Sequence, residues 1–382
     1  MRKLLVILGV PVDDLTMSEA LDRLESFIQQ GRLTGRTHQI ATVNADFVVN
    51  SLHDPELRLI LQEADMATAD GMPLVLGARL LGVPMADRVT GADLVPALAE
   101  RAAEKGFSIF LLGAREGIAA HAAHILQERH SALKIAGVIS PPNVDIQEID
   151  RSILDHIRQA KPDILLVAFG NPKQEKWIRA YADYLQVPVC IGVGGTFDMI
   201  AGVTRRAPQW LQRVGLEWFY RLMQEPQRLW RRYIRDFGYF GYFFGRQWWA
   251  LRHGDMLQQY LSTSEGIMID KTIILSIEGR LDIYNYAAFV EQAEEALKQT
   301  PFLIINLEYT KFLDSTALGS LVALTNHARA AGGSLRLVAV PPDIVRVLSL
   351  VRLDMFFDIY ENIDTAINIS EPLTPASSSL LS

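Results

Sequence analysis

Apolar positions along this chain fall into two alternating patterns. Short, nearly continuous apolar runs predict strands at residues 4–8, 39–43, 66–69, 108–112, 134–138, 164–168 and 189–192. Between them, apolar residues at three- and four-residue spacing predict amphipathic helices at 18–29, 92–105, 118–129, 145–159 and 174–184. A further helix is read from Asp54 as cap, Pro55 in the first turn, and Leu57, Ile60 and Leu61 on one face. Alternation of strand and helix over residues 4–203 predicts an α/β fold, a mostly parallel sheet covered by helices. Strands apolar throughout suit burial on both faces. The run at 4–8 is read as a first strand and not a signal peptide. It is short, and Pro11-Val12-Asp13-Asp14 follows without a small-residue cleavage pattern.

The pattern changes at residue 204. Residues 205–253 hold ten Arg, no Lys and three acids, a local +7 inside a chain of net charge −7. Five of the six Trp lie there: Trp210, Trp218, Trp230, Trp248 and Trp249. Basic residues interleaved with aromatics suit a membrane interface, where rings lie at headgroup depth and Arg meets lipid phosphate. No apolar run approaches the length that spans a bilayer. An acidic chain without a reading motif is not expected to bind nucleic acid.

A second periodic region follows a polar linker at 254–266. Strands are expected at 272–278, 302–307, 334–340 and 357–360. Helices are expected at 284–298, after Asp314, and at 342–351. The domain division is therefore a core at 1–203, a basic aromatic arm at 204–253, the linker, a small α/β domain at 267–370, and a Ser- and Pro-rich tail at 371–382 expected to be disordered. The single cysteine, Cys190, sits in an apolar strand and reads as a small core residue. One cysteine makes no intrachain disulfide, which fits a reducing compartment.

Candidate chemistry gathers at two predicted strand ends. The strand at 39–43 ends in Thr42 and Asn44, and the strand at 66–69 stops at Asp70-Gly71. In open α/β sheets the ligand crevice lies outside the carboxyl ends of the strands. Asp70 is read as a general base, with Thr42 and Asn44 positioning a substrate. The plainer alternative for Asp70 is a turn residue bonding its own backbone.

Six motifs in order carry a resemblance over residues 4–235. They are Thr42-Val-Asn44, Ala69-Asp70-Gly71, Asp87-Arg88-Val-Thr-Gly91, Gly170-Asn-Pro-Lys-Gln174-Glu175, Gly192-Val-Gly194-Gly195-Thr-Phe-Asp198 and Glu217-Trp-Phe-Tyr-Arg221. The chain resembles the WecG/TagA/CpsF family of bacterial glycosyltransferases. The resemblance implies inverting transfer of an N-acetylmannosamine-type sugar from UDP to a polyprenyl-diphosphate-linked N-acetylglucosamine. It implies work at the inner membrane face, without a dedicated metal or cofactor. Residues 267–368 resemble the STAS domain of anti-sigma-factor antagonists, on Asn306 to Gly319 above all. That likeness implies phosphorylation at Ser315 and a protein partner or kinase at the adjoining helix. Ala317 stands where the family has glycine, and Asp314-Ser315 at a helix start is also what capping predicts.

Charge on a leaving UDP must be met. No Asp-x-Asp occurs in residues 1–253, and no His/Cys cluster has zinc spacing. Arg and backbone amides are the expected anion holders. Candidates are Arg88, the turn Gly192–Gly194–Gly195, and Arg221, Arg228 and Arg231. Gln174 and Asp198 are candidates for sugar or acceptor hydroxyls. Two other classes stand beside transfer. One is a partner-switch protein whose front half has lost catalysis. The other is a nicotinamide oxidoreductase, but Phe197 stands where the third fingerprint glycine belongs.

Overall fold

The computed structural model describes residues 2–141, 151–213, 216–252, 262–263, 266–269 and 271–367. The expected linker lies mostly outside these residues, as do the tail and the first part of the helix expected at 145–159. By internal packing the chain divides into two units, residues 12–77 with 84–241, and residues 1–11 with 78–83 and 242–382.

The first unit is built on six parallel strands: β3 (His38–Val43), β4 (Met66–Ala69), β5 (Ser108–Gly113), β6 (Lys134–Ile139), β7 (Ile164–Ala168) and β8 (Val189–Gly192). Their order is β4-β3-β8-β7-β5-β6. Helices Met17–Thr34, Gly91–Lys105 and Ile118–Arg129 close one face around Leu24, Leu98 and Leu126, all buried. Helices Arg151–Ala160 and Lys173–Leu185 close the other around Ile157, Trp177 and Cys190. Burial on both faces is why these strands read as unbroken apolar runs. Chain order reverses here, β3 leading outward to β4 and the chain then returning to β5 beyond β8 and β7. The carboxyl ends of β3 and β8, which neighbour each other, therefore flank a natural crevice.

The run at 4–8 forms a strand, β1 (Leu4–Ile7), but outside the parallel sheet. Among the described residues it pairs with β2 (Val10–Asp13) alone. Leu8 and Gly9 reverse the chain at φ 51° and 85°. Two successive residues at positive φ make a tight hairpin, whereas a parallel neighbour would need a long crossover.

The second unit contains the STAS-like α/β fold. Its sheet joins β10 (Ile267–Ile269), β11 (Thr272–Leu281), β12 (Phe302–Asn306), β14 (Ser334–Val338) and β15 (Asp358–Tyr360) in that order, with β9 (Ser262–Thr263) and β13 (Thr310–Leu313) pairing β11. Val6 of β1 lies in this unit's core, beside Leu275, Leu318 and Leu337. Helix Ser315–Ala330 is buried on nearly every side. A Cβ at Gly319 would meet the Leu4 carbonyl oxygen at 2.3 Å, so only glycine lets the helix lie that close to β1.

Candidate active site

Register places the key residues together. β3 pairs β4 with Val43 opposite Ala69, so the two strands end level and hand on to Asn44 and Asp70. Asp70 donates its backbone N–H to Val43 O at 2.6 Å. Gly71 follows at φ 150°, a conformation glycine holds readily. The Asp70 carboxylate accepts from Gly91 N at 3.4 Å, at the first turn of helix Gly91–Lys105. Asn44 caps helix Ala45–His53, accepting from Asp46 N and Phe47 N. That helix was not foreseen, because Asp54-Pro55 marks the stronger helix start just beyond it.

A cleft of about 740 Å³, open to solvent, is lined by Asn44, Asp70, Arg88, Glu217, Arg221 and Arg232 among others. Glu217, nearly buried, is its organiser. Its carboxylate holds Arg88 Nη1 at 3.1 Å through one oxygen and Arg221 Nη2 at 3.3 Å through the other. Arg206 Nε lies 3.8 Å from the same carboxylate while its Nη2 bonds Asp93 at 2.6 Å. Burial raises the Asp70 carboxyl above its ordinary value. Arg221 opposes the rise, Glu217 adds to it, and Gly91 N and Arg88 oppose it further. A carboxylate made more basic accepts a proton better, which suits general base work.

A second cleft of about 940 Å³ shares Arg221, Arg232 and Tyr233 with the first and is lined also by Arg115, Gly195 and Asp198. Arg115 Nη2 bonds Asp198 Oδ1 at 3.1 Å. Two cavities thus flank one wall of guanidinium groups.

Other expected residues do their work below the surface. Thr42 is buried and donates its hydroxyl to Gly192 O at 3.0 Å, tying β3 to β8. Gln174 Oε1 accepts from Gly170 N at 3.1 Å and Gly194 N at 3.0 Å, bracing the loops after β7 and β8. Its Nε2 donates to Glu175 Oε1 at 2.8 Å. Glu175 is buried, and burial pushes its carboxyl up to about 8. A Cβ at Gly192 would stand 2.3 Å from that carboxylate and 2.5 Å from Gln174, so the glycine admits both side chains under the strand end.

In the arm, the structure brings Arg221 and Arg232 to the clefts. Arg231 stacks over Trp230 with its Cζ 5.4 Å from the ring. Arg228 lies in helix Pro226–Arg252, its side chain outside the described set. Arg232, Glu217, Asp236 and Arg115 were missed as site residues. The four-residue spacing of Glu217 and Arg221 on one helix was the available signal.

Ser315 is 1% exposed. Gln247 reaches its Oγ at 3.4 Å, donates to Val6 O at 2.9 Å and accepts from Leu8 N at 2.8 Å. Asp314 already caps the helix by accepting from Thr316 N and Ala317 N, both at 2.8 Å. A phosphoryl donor would reach Ser315 only after this packing opened.

The Glycosyl transferase WecG/TagA/CpsF family matches residues 5–254, and the STAS domain matches residues 263–366. A Bacillus spizizenii protein named N-acetylglucosaminyldiphosphoundecaprenol N-acetyl-beta-D-mannosaminyltransferase is 32% identical over 195 residues, 51% of this chain and 74% of the relative. A Bacillus subtilis protein of the same name is 31% identical over 227 residues, 59% of this chain and 85% of the relative. An anti-sigma factor antagonist from Thermotoga maritima covers 27% of this chain and 89% of its own, at 28% identity and a TM-score of 0.26.

Proposed function

This chain belongs to the WecG/TagA/CpsF family of glycosyl transferases, with a STAS domain joined to it, and we propose that it moves N-acetylmannosamine, or a related sugar, from UDP to a polyprenyl-diphosphate-linked N-acetylglucosamine. One observation carries the reading furthest. Asp70, Asn44, Arg88 and Arg221 line a single cleft at the strand ends, beside a second cleft that shares the arginine wall. Asp70 takes the proton from the acceptor hydroxyl. The acceptor oxygen bonds the anomeric carbon from the face opposite UDP, the bond from that carbon to the phosphate oxygen breaks, and the configuration inverts. The electron pair leaves on the diphosphate, where Arg88, Arg221 and Arg232 meet it. No dedicated metal is required in this scheme, since planar guanidinium groups lining the cleft supply the countercharge.

The arm is assigned to the inner membrane surface. Trp230, Ile234, Tyr242 and Trp249 of helix Pro226–Arg252 are exposed at 46%, 66%, 63% and 61%, and their four- to eight-residue spacing keeps them on one side of the helix. Exposed rings and Arg on one helix favour an anionic lipid interface. Among the described residues no helix is long and apolar enough to cross a membrane. The STAS domain is assigned to regulation or partner binding, with Ser315 phosphorylation conditional on opening of the Gln247 contact. The test is product analysis with a short-chain lipid-diphosphate-linked N-acetylglucosamine and several UDP-sugars, with and without a metal chelator. A product heavier by one N-acetylhexosamine, formed equally with the chelator, is expected. No product from any UDP-sugar, with lipid present, would refute the reading.

A further inference from the structure

One wall of the Asp70 cleft is aromatic. Trp218, Tyr233 and Phe237 all line it. The Trp218 and Phe237 rings stand 4.9 Å apart, edge to face, and Tyr233 lies 6.0 Å from each. Their mutual packing fixes the rings before any ligand arrives, and Phe237 remains 36% exposed. Beside them lie two carboxylates that also line the cleft, Asp46 and Asp236.

One guanidinium holds both carboxylates. Arg235 donates to Asp236 Oδ1 at 3.1 and 3.0 Å and to Asp46 Oδ1 at 3.2 Å. Asp46 Oδ2 accepts from Asn171 Nδ2 at 3.2 Å, so both of its oxygens are engaged. Asp236 differs. It is 3% exposed, both bonds from Arg235 fall on Oδ1, and among the described residues Oδ2 has no donor. Oδ2 is not sealed in the interior but reaches the cleft, where an entering hydroxyl can replace water as its donor. Burial and the neighbouring Asp46 push this carboxyl up to about 6, against Arg235 and Arg232. An apolar wall with one convergent acceptor open to the cleft is the build of a small-ligand site. The ligand must offer a flat apolar face and a hydroxyl at its edge, which describes a pyranose ring.

We propose that Trp218, Phe237 and Asp236 form a hexosamine-ring subsite, in which the aromatic wall carries the ring's apolar face and Asp236 Oδ2 accepts from a ring hydroxyl. This assignment rests on the glycosyl transfer reading and deepens it. Both the donor and the acceptor carry such a ring, and the test separates them. It assigns Asp236 to recognition, leaving proton transfer with Asp70.

Asp236→Asn and Phe237→Ala are compared with the native chain. KM for the UDP-sugar and for the lipid-linked acceptor are measured separately with kcat, and Kd for each substrate is measured by calorimetry. Loss of a charged hydrogen bond predicts a rise of roughly tenfold or more in KM and Kd for one substrate. The substrate affected identifies the ring that occupies the subsite. Monodeoxy analogues sharpen the test. One deoxy analogue should bind the native chain weakly, and that penalty should vanish in Asp236→Asn. Folded variants with unchanged KM and Kd for both substrates would overturn the subsite. If the native chain binds a sugar substrate and Asp236→Asn weakens that binding, yet no transfer occurs, the transfer reading falls and the subsite stands.

Discussion

Replacing Glu175 with glutamine should remove a pH-dependent loss of stability built into the floor of the strand ends. In the folded chain burial keeps this carboxyl protonated up to about pH 8, whereas the unfolded chain releases the proton near 4.5. Below 4.5 both states hold the proton and the group is neutral to folding. As pH rises from 4.5 to 8, only the unfolded state ionises, so stability falls and the loss is complete above 8. A window of about 3.5 pH units at about 1.36 kcal/mol each comes to about 5 kcal/mol. That figure is an upper bound, since any relaxation of helix Lys173–Leu185 lowers it. Glutamine keeps an oxygen to accept from Gln174 Nε2 and carries no charge at any pH. Urea unfolding of native chain and Glu175→Gln at pH 5 and pH 8, followed through the transition of the unit containing Trp177, measures the difference. The native chain should lose several kcal/mol relative to the variant between the two pH values. Parallel pH dependence of the two proteins would refute the assignment of a neutral, desolvated carboxyl beneath Gly192.

Three further outcomes follow from the same geometry. Arg221→Ala combined with Arg232→Ala should lower turnover on a membrane-borne acceptor by roughly a hundredfold or more, at about 1.5–3 kcal/mol for each charge-assisted hydrogen bond removed; unchanged turnover would contradict the arginine wall. Ser315→Ala removes one 3.4 Å hydrogen bond and should shift the unfolding midpoint of the second unit little, whereas Ser315→Asp buries a charge beside Asp314 and should cost several kcal/mol; equal, small effects would mean that the site is open. Sedimentation with anionic vesicles should fall as salt rises and weaken in Trp230→Ser with Trp249→Ser, while binding that ignores both salt and substitution would remove the arm from the membrane.

Where each residue ends up was legible in the sequence to different depths. Strands β3 to β8 were readable because burial on both faces leaves unbroken apolar runs bounded by polar turns. Asp70, Asn44, Arg88 and Arg221 line one cleft, though they come from four separate motifs. Thr42 and Gln174 were read from the sequence as substrate contacts near strand ends. That they brace Gly192, Gly170 and Gly194 depends on bonds between distant segments. Arg232 escaped notice because Glu225-Pro226 ends one helix and starts another, so counting turns from Arg221 loses its phase. β1 was visible as a strand, but local pattern carries no information about which partner a strand will find. Its place against helix Ser315–Ala330 depends on Gly319, whose missing Cβ has meaning only once Leu4 is beside it. That helix did carry a sign in its sequence: Ala317, Leu318, Leu321, Val322, Ala323 and Leu324 spread over more than one face, the mark of burial on several sides.

The central claim is that Asp70 takes the acceptor's proton during sugar transfer. The most direct measurement is acceptor-dependent UDP release from UDP-N-acetylmannosamine, with lipid-diphosphate-linked N-acetylglucosamine as acceptor, for the native chain, Asp70→Ala and Asp70→Asn. The account predicts that release collapses in both variants by roughly a hundredfold or more, in the range general base catalysis supplies, while calorimetric affinity for both substrates changes little. Release that survives in Asp70→Asn with the fold intact would place the base elsewhere and contradict the account.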